Sequence, residues 1–311
     1  EPYNNIYNRG AGETLRIQTK EGETIDLYNK SYALLIGVSD YDNWGDLEQI
    51  PYELNSVEAI LIEQGFEITR INNPNSKELK DAFNKFTNDY GFDKKNRLLY
   101  FYSGHGYSFK GEAKGYLVPT DAPKPKKDEA DFRRKALSMT NILTWAKDMQ
   151  AKHALFLFDS CFSGTIFSEK GLSEKLPDHI DKMIAEPVRQ FITAGRAEDT
   201  IPAKSDFTPL FVRALKFKTG DLNNDGYITG SELGMYLEAE VPKINNHNDY
   251  IPKYGKINDL ELNAGNFVFF DRNYIPNDEL GVTLIINASP KNSSIRILNL
   301  KNPDYHKGMI L

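Results

Sequence analysis

Three short apolar runs, each followed by turn-forming residues, place the tightest constraint on how this chain folds. They cover Tyr32–Val38, Leu98–Tyr102 and Leu155–Phe158. Apolar residues follow one another in these runs, which is typical of strands that are buried on both faces. Apolar residues recur at helical spacing between them, in Glu53–Gln64 and Ser76–Tyr90. This alternation predicts an α/β fold, in which helices cover both faces of a mostly parallel sheet.

The character of the sequence changes towards both ends of the chain. Residues 1–29 are polar and contain two alternating segments around Lys20–Gly22, which predict an N-terminal β-hairpin extension. Residues 30–270 carry the α/β pattern, with a stretch at 121–135 whose prolines and charges predict a mobile surface loop. Residues 271–311 alternate apolar and polar side chains without helices, which predicts the start of a separate C-terminal β module.

Composition excludes several classes of partner. The 38 basic and 44 acidic side chains give a net charge of −6, and no basic patch stands out, so we expect no nucleic-acid partner. The single cysteine leaves no internal disulfide. No apolar run approaches the roughly 20 residues that a membrane-spanning helix needs. The sequence sets no oligomeric state.

Two reactive side chains follow two of the predicted strands. His105 lies in a Ser-Gly-His-Gly turn after one strand, and Cys161, the only cysteine, follows another. Considered alone, each has an ordinary structural explanation: a buried cysteine is a small hydrophobe and a loop histidine is a surface residue. Because binding sites collect at the carboxyl ends of parallel strands, the two together predict a cysteine nucleophile with a histidine that handles its proton.

These residues lie in motifs that resemble those of the caspase-like peptidases, on the metacaspase and bacterial caspase-homologue side. The motifs are Tyr102-Ser-Gly-His-Gly106 and Asp159-Ser-Cys-Phe-Ser-Gly164, and the histidine precedes the cysteine by 161 minus 105, or 56, positions. The resemblance implies a caspase-like α/β/α sandwich of three layers with a mostly parallel six-stranded sheet. It also implies a cysteine endopeptidase acting on protein or peptide substrates. His105 and Cys161 would be its catalytic dyad, and the N–H groups of Gly106 and Cys161 its oxyanion hole.

The resemblance also suggests which peptide bond is cleaved. Asp159 lies two residues before Cys161, where the matching aspartate of metacaspases helps to hold a basic P1 side chain. Their second pocket carboxylate lies in an Asn-Asp pair, and the matching position here is Glu53 after Tyr52, so glutamate replaces aspartate. The implied substrates carry Arg or Lys at P1. The alternative for Asp159 is a turn residue that bonds local backbone N–H groups.

The segment 165–189 is rich in basic residues and predicts a linker. A peptidase that cleaves after basic residues would find four suitable bonds there, after Lys170, Lys175, Lys182 and Arg189. The linker is therefore a candidate for self-cleavage. The alternative is a solvated loop with no such purpose, since exposed loops attract proteolysis in any case.

Residues 221–232 fit the twelve-position loop of an EF-hand. Position 6 is Gly226, which permits the sharp turn that the motif requires. The pattern predicts a bound calcium ion that helps to hold the C-terminal part of the domain in place. The alternative is a polar turn that caps the following helix. The predicted oxygen ligands are Asp221, Asn223, Asp225, Tyr227 through its carbonyl, and Glu232.

Two other classes of function stay open at this point. One is a non-catalytic member of the fold that binds peptides or partners, and the other is a calcium-binding surface scaffold. Residues 271–311 weakly resemble the opening of small β modules at the ends of bacterial surface or envelope proteins (PEGA-type). This resemblance favours the periplasm or the cell exterior, while a cytoplasmic location stays open.

Overall fold

The fold was analysed in a computed structural model of the chain. The structure describes residues 15–18, 24–110, 112, 114–161, 168–169, 185–195, 205–244 and 250–270. The predicted C-terminal β module at 271–311 lies outside these residues. The chain divides into two compact units, residues 1–276 and 277–311, and all of the described residues lie in the first.

A seven-stranded sheet forms the centre of this unit. Four of its six pairings are parallel and join five strands in the order β11-β9-β5-β3-β4. At one side β13 pairs antiparallel with β11, and the two-residue β10 pairs antiparallel with β13. The mostly parallel α/β sheet is therefore as predicted, and it has seven strands where the resemblance implied six. The strands are β3 (Lys30–Gly37), β4 (Glu67–Asn72), β5 (Asn96–Ser103), β9 (His153–Cys161), β10 (Ser168–Glu169), β11 (Val188–Gly195) and β13 (Lys253–Lys256).

Six helices are seen within the described residues, and five of them cover the two faces of the sheet. One apolar core joins α1, α5 and α6 to alternate strand residues such as Leu99, and a second joins α2 and α4 to the intervening ones such as Leu98. The inner strands β3, β5 and β9 are therefore buried on both faces, which explains their apolar runs. The helices are α1 (Ile50–Glu63), α2 (Ser76–Tyr90), α3 (Glu129–Lys135), α4 (Met139–Asp148), α5 (Phe207–Lys216) and α6 (Gly230–Ile244).

The prediction of a mobile loop at 121–135 is wrong for the second half of this segment, which forms the helix α3. The Asp128 side chain caps this helix by accepting a hydrogen bond from the Asp131 N–H at 2.9 Å. Phe132 is fully buried and packs against the small three-stranded sheet of β6 (Gly106–Ser108), β7 (Gly115–Leu117) and β8 (Leu137–Ser138). One buried aromatic ring and a capping carboxylate therefore outweigh the charged composition.

The remaining strands lie at the margins of the unit. The predicted N-terminal hairpin is present as β1 (Leu15–Gln18) and β2 (Thr24–Tyr28), which pair antiparallel. The strand β14 (Val268–Phe270) pairs antiparallel with β12 (Tyr227–Thr229) in a sheet of its own. None of the helices that the structure describes is both long and apolar enough to cross a membrane.

Candidate active site

The carboxyl ends of β5 and β9 bring the two predicted catalytic residues to one edge of the sheet. These strands are parallel neighbours, and Ser103 at the end of β5 pairs with Asp159. His105 follows this pair by two positions, and Cys161 is the last residue of β9. The structure describes Cys161 by its backbone, which pairs with Gly195 of β11. Parallel strands that end together form the kind of crevice in which α/β proteins bind ligands.

The imidazole of His105 is half-buried and held on one side. Its Nε2 atom lies 2.7 Å from the carbonyl oxygen of Gly45, so Nε2 must carry the proton and Nδ1 is left as an acceptor. The rings of Tyr41 and Trp44 lie 4.8 and 5.3 Å from the imidazole, centroid to centroid. Burial lowers the pKa of His105 from its ordinary value, although the bond to Gly45 opposes this shift. The side chain is therefore neutral near pH 7 and can take up a proton.

The backbone around His105 is fixed by two tyrosine hydroxyl groups. The Tyr102 hydroxyl donates to the carbonyl oxygens of His105 and Val118, both at 3.0 Å. A Cβ atom on Gly104 would come within 2.7 Å of the Tyr102 oxygen and 2.8 Å of the Tyr41 oxygen. Glycine is therefore required at 104 by close packing rather than by an unusual backbone angle. Gly106, whose N–H is a predicted oxyanion donor, begins β6.

Asp159 is the residue predicted for the floor of the substrate pocket. It is 4% exposed, and its two oxygens accept hydrogen bonds from the hydroxyl groups of Ser205 and Thr208, each at 2.6 Å. Burial raises the pKa of Asp159, and these bonds offset part of the shift. Its partners lie 46 and 49 residues away in the sequence, so the carboxylate ties the start of α5 to the end of β9.

Glu53, the second predicted pocket carboxylate, lies half-buried on the first turn of α1. Its N–H donates to the Gln49 carbonyl at 3.1 Å. The loop that enters α1 also carries Gly45, the partner of His105. Glu53 therefore belongs to the same edge of the sheet, but it lies on α1 whereas Asp159 contacts α5. A pocket built from both carboxylates stays a prediction.

The predicted calcium loop lies between α5 and α6. It turns at Gly226, whose φ is 88°, and enters β12 at Tyr227. The Asp221 carboxylate accepts hydrogen bonds from the N–H groups of Asp225 at 3.1 Å and Gly226 at 2.9 Å. The Asn223 side chain accepts from the Asp225 N–H at 2.9 Å. These bonds give the loop a defined conformation with its oxygen-bearing residues on a tight turn.

Glu232, the last predicted ligand, is fully buried at the start of α6. Its oxygens accept hydrogen bonds from the N–H groups of Leu222 at 3.2 Å and Thr229 at 2.9 Å. Burial, with a smaller contribution from Asp225 and Asp221, raises the pKa of Glu232 to about 7. Among the described residues, no group of three or more His, Cys, Asp and Glu side chains is arranged to hold a metal ion. The calcium site therefore stays a prediction.

One of the predicted self-cleavage positions is wrong. Arg189 is 1% exposed in β11, and its guanidinium donates to the carbonyl oxygens of Ala146 and Met149, both at 2.7 Å. It closes the end of α4, so the bond after it is inaccessible to a peptidase. Lys170, Lys175 and Lys182 lie outside the described residues.

The family is decided by a comparison that spans both motif loops. A family model for the caspase domain of the C14 peptidases matches residues 30–215, which is more than half of the chain. The chain belongs to the caspase family. This is a family of cysteine peptidases, whose substrates are proteins. The match begins at β3 and ends within α5, so the predicted calcium loop lies beyond it.

Solved structures also resemble this caspase-family chain. A protein from Geobacter sulfurreducens is 16% identical, with 73% of this chain and 93% of that chain covered and a TM-score of 0.49. Caspase-1 from Spodoptera frugiperda is 12% identical, with 88% and 100% covered and a TM-score of 0.49. The comparison with curated proteins gives no match.

Several residues around the site were not predicted from the sequence. Tyr41, Trp44 and Gly45 come from the loop after β3, and Ser205 and Thr208 from the start of α5. A usable signal exists for the first group, because two aromatic residues in a turn-rich loop at a strand's carboxyl end need a surface to pack against. No comparable signal marks the two hydroxyl residues, whose partner is distant in the sequence.

Proposed function

We propose that this caspase-family protein is an endopeptidase that cleaves after arginine or lysine with His105 and Cys161 as its catalytic pair. The carrying observation is the shared edge of β5 and β9, to which the register between Ser103 and Asp159 brings both motifs. The Nε2 bond to Gly45 supports the role of His105. Among the described residues, nothing hydrogen-bonds to its Nδ1, which is the atom that would accept the proton of the nucleophile.

The proposed reaction needs only these groups and water. His105 accepts the Cys161 thiol proton at Nδ1, and the thiolate attacks the scissile carbonyl carbon. The N–H groups of Gly106 and Cys161 stabilise the oxyanion. His105 then gives the proton to the leaving amine as the C–N bond breaks and an acyl thioester remains. His105 next takes a proton from water, the hydroxide displaces Cys161, and the thiol is restored with release of the acid.

The preference for a basic P1 residue is supported by the surroundings of Asp159. Its carboxylate is buried with two neutral hydroxyl donors, Ser205 and Thr208. A buried carboxylate is stabilised by a neighbouring cation, and the P1 guanidinium or ammonium group would be that cation. Glu53 would add a second negative charge at this edge.

Fluorogenic peptides that differ only at P1 test the proposal. We expect release of the fluorophore from the Arg and Lys peptides and little from the Asp peptide. A peptidyl chloromethyl ketone with Arg at P1 should also label the protein, and the labelled residue should be Cys161. Preference for the Asp peptide would contradict the specificity, and absence of both cleavage and labelling would favour a non-catalytic binding protein.

Asp159→Asn tests the pocket assignment separately from the chemistry. We expect kcat/KM for an Arg peptide to fall about 100-fold, because the removal of one member of a buried charge pair typically costs about 2–5 kcal/mol. The value for a peptide with Gln at P1 should change far less. Asp206→Asn is the matched control, since Asp206 is the neighbouring acid at the start of α5. An equal loss for all P1 residues would mean that Asp159 acts only by holding α5.

We also propose that the loop 221–232 binds calcium. The carboxylates of Asp221, Asp225 and Glu232, the Asn223 amide and the Tyr227 carbonyl supply only oxygen, which is the ligand chemistry that calcium prefers. The loop enters β12, which pairs with β14 at the end of the described domain. A bound ion would therefore stabilise the attachment of this last strand.

Calcium is expected to raise the melting temperature of the protein by several degrees relative to chelator. Binding to the folded state alone adds about 2.7 kcal/mol when the ion is at about 100 times its Kd. Thermal melts in calcium, magnesium and chelator measure this shift, and Glu232→Gln should abolish it. An unchanged midpoint in calcium would contradict the site.

Self-processing is proposed for the part of the basic segment before β11. Wild-type protein should yield fragments that end after Lys170, Lys175 or Lys182, and Cys161→Ala protein should not. Intact-mass spectrometry of both proteins decides, because identical fragments would point to a contaminating protease.

A further inference from the structure

The loop between β3 and α1 contacts the candidate base at three points. The Tyr41 hydroxyl accepts a hydrogen bond from the His105 backbone N–H at 2.8 Å. The Gly45 carbonyl accepts one from the imidazole at 2.7 Å. The rings of Tyr41 and Trp44 lie beside the imidazole. One short loop thus fixes both the main chain and the side chain of His105.

Tyr41 is itself held in place by its own main chain. Its N–H donates to the Asp46 carboxylate at 3.0 Å, and the next N–H, that of Asp42, donates to the Thr120 carbonyl at 3.0 Å. The loop begins at Ser39, whose N–H donates to the Asn73 side chain at 2.7 Å. Burial raises the pKa of the Tyr41 hydroxyl, so this group stays protonated and neutral. The acceptor offered to His105 is therefore fixed in position and in charge.

The Trp44 ring is anchored by a separate bond. Its indole N–H donates to the Ala122 carbonyl at 3.1 Å. The tryptophan therefore lies on the imidazole whether or not Tyr41 is present. Tyr41 adds the hydrogen bond to the His105 main chain. This bond fixes the backbone position from which the imidazole side chain extends. A rotation of the His105 backbone would move Nδ1 away from the crevice.

We propose that Tyr41 is a positioning residue for His105. Its hydroxyl group holds the His105 main chain, and its ring packs against the imidazole. This inference rests on the proposed role of His105 as the base of the peptidase. Tyr41 touches neither substrate nor nucleophile in this proposal. Its effect is to keep His105 in the Nε2-protonated tautomer, bonded to Gly45, with Nδ1 directed to the crevice. Misplacement of a catalytic group by about 1 Å can cost about 100-fold in rate.

Tyr41→Phe tests this inference, because it removes the hydroxyl and keeps the ring. We expect kcat to fall about 10-fold and KM to change less than about twofold, since the interaction affects chemistry rather than substrate binding. Tyr107→Phe is the matched control. Tyr107 lies in the neighbouring β6 and packs on Trp44. The Tyr107→Phe variant should keep wild-type kcat and KM.

The imidazole nitrogen NMR spectrum gives a readout that needs no substrate. His105→Ala identifies the His105 signals among those of the five histidines. In the wild type the signals should be those of the Nε2–H tautomer, and in Tyr41→Phe they should move towards a mixture of tautomers. The His105 amide proton of the wild type should also be protected from exchange, which tests the contact without any variant.

The two proposals can fail separately. If the wild type cleaves no peptide, the peptidase proposal fails while the NMR spectra still decide whether Tyr41 holds His105. An imidazole spectrum that is unchanged in Tyr41→Phe overturns the positioning role, whatever the rate. A changed spectrum with unchanged kcat overturns its importance for catalysis.

Discussion

Replacement of either Cys161 or His105 by alanine is expected to lower kcat by about 1,000-fold or more on an Arg peptide. The nucleophile forms the covalent intermediate, and a positioned general base alone contributes about 100- to 10,000-fold. His105 has its proton fixed on Nε2 by Gly45, so alanine removes both the acceptor for the thiol proton and the donor for the leaving amine. Melting temperatures of the variants, measured in parallel, show whether the fold is retained.

The double variant makes this expectation sharper. Groups that act as one unit are not additive, so Cys161→Ala with His105→Ala should be about as slow as the worse single variant. Multiplicative losses would mean that the two residues act independently. A His105→Ala variant with more than about a tenth of wild-type kcat would exclude it as the base, because base removal costs at least about 100-fold.

The sequence predicts the central architecture of this protein well because one physical rule governs it. Leu98 and Leu99 are neighbours in β5, and each packs into a different core, on opposite faces of the sheet. A strand buried on both faces is apolar at most of its positions, and that pattern is visible without any structure. The strand ends follow from the turn residues after each run. The edge on which His105 and Cys161 lie could therefore be predicted.

The sequence predicts elements less well where side chains that are distant in the sequence decide the outcome. β13 spans Lys253–Lys256, which contains no apolar run, and it forms because β11 offers an edge to pair with. Asp159 is bonded to Ser205 and Thr208, and this is a tertiary contact that no local pattern indicates. These contacts determine the surroundings of the site, while the pattern of strands determines its location.

The burial of two arginines is the feature that the sequence pattern predicts least well. Charged side chains are normally exposed, yet Arg189 and Arg97 are each 1% exposed. Arg189 is satisfied by main-chain carbonyls at the end of α4. Arg97 at the start of β5 donates to the Ser31 hydroxyl at 2.8 Å, to the Gln64 carbonyl at 3.0 Å and to the Val268 carbonyl. Both arginines thus join segments that the sheet alone leaves apart.

Arg97→Ala is expected to lower the free energy of unfolding by about 3–5 kcal/mol. The substitution leaves a cavity and deprives the Gln64 and Val268 carbonyls of their donor, which are two of the costliest changes in a protein core. It also removes a cation from among four aromatic rings. The Arg97 guanidinium carbon lies between 4.4 and 5.8 Å from the centroids of Phe66, Tyr28, Phe270 and Phe267.

Arg70→Ala is the matched control for this prediction. Arg70 lies on the edge strand β4 and pairs with Glu58 at 2.8 Å, with both side chains partly exposed. An ion pair of this kind is worth about 1 kcal/mol or less. Urea unfolding of both variants measures the difference. Because Arg97 holds Val268 of β14, its loss should also free the strand that pairs with β12 after the predicted calcium loop, and calcium should then stabilise Arg97→Ala less than the wild type. Equal destabilisation by the two variants would show that the buried arginine does not hold the end of the domain.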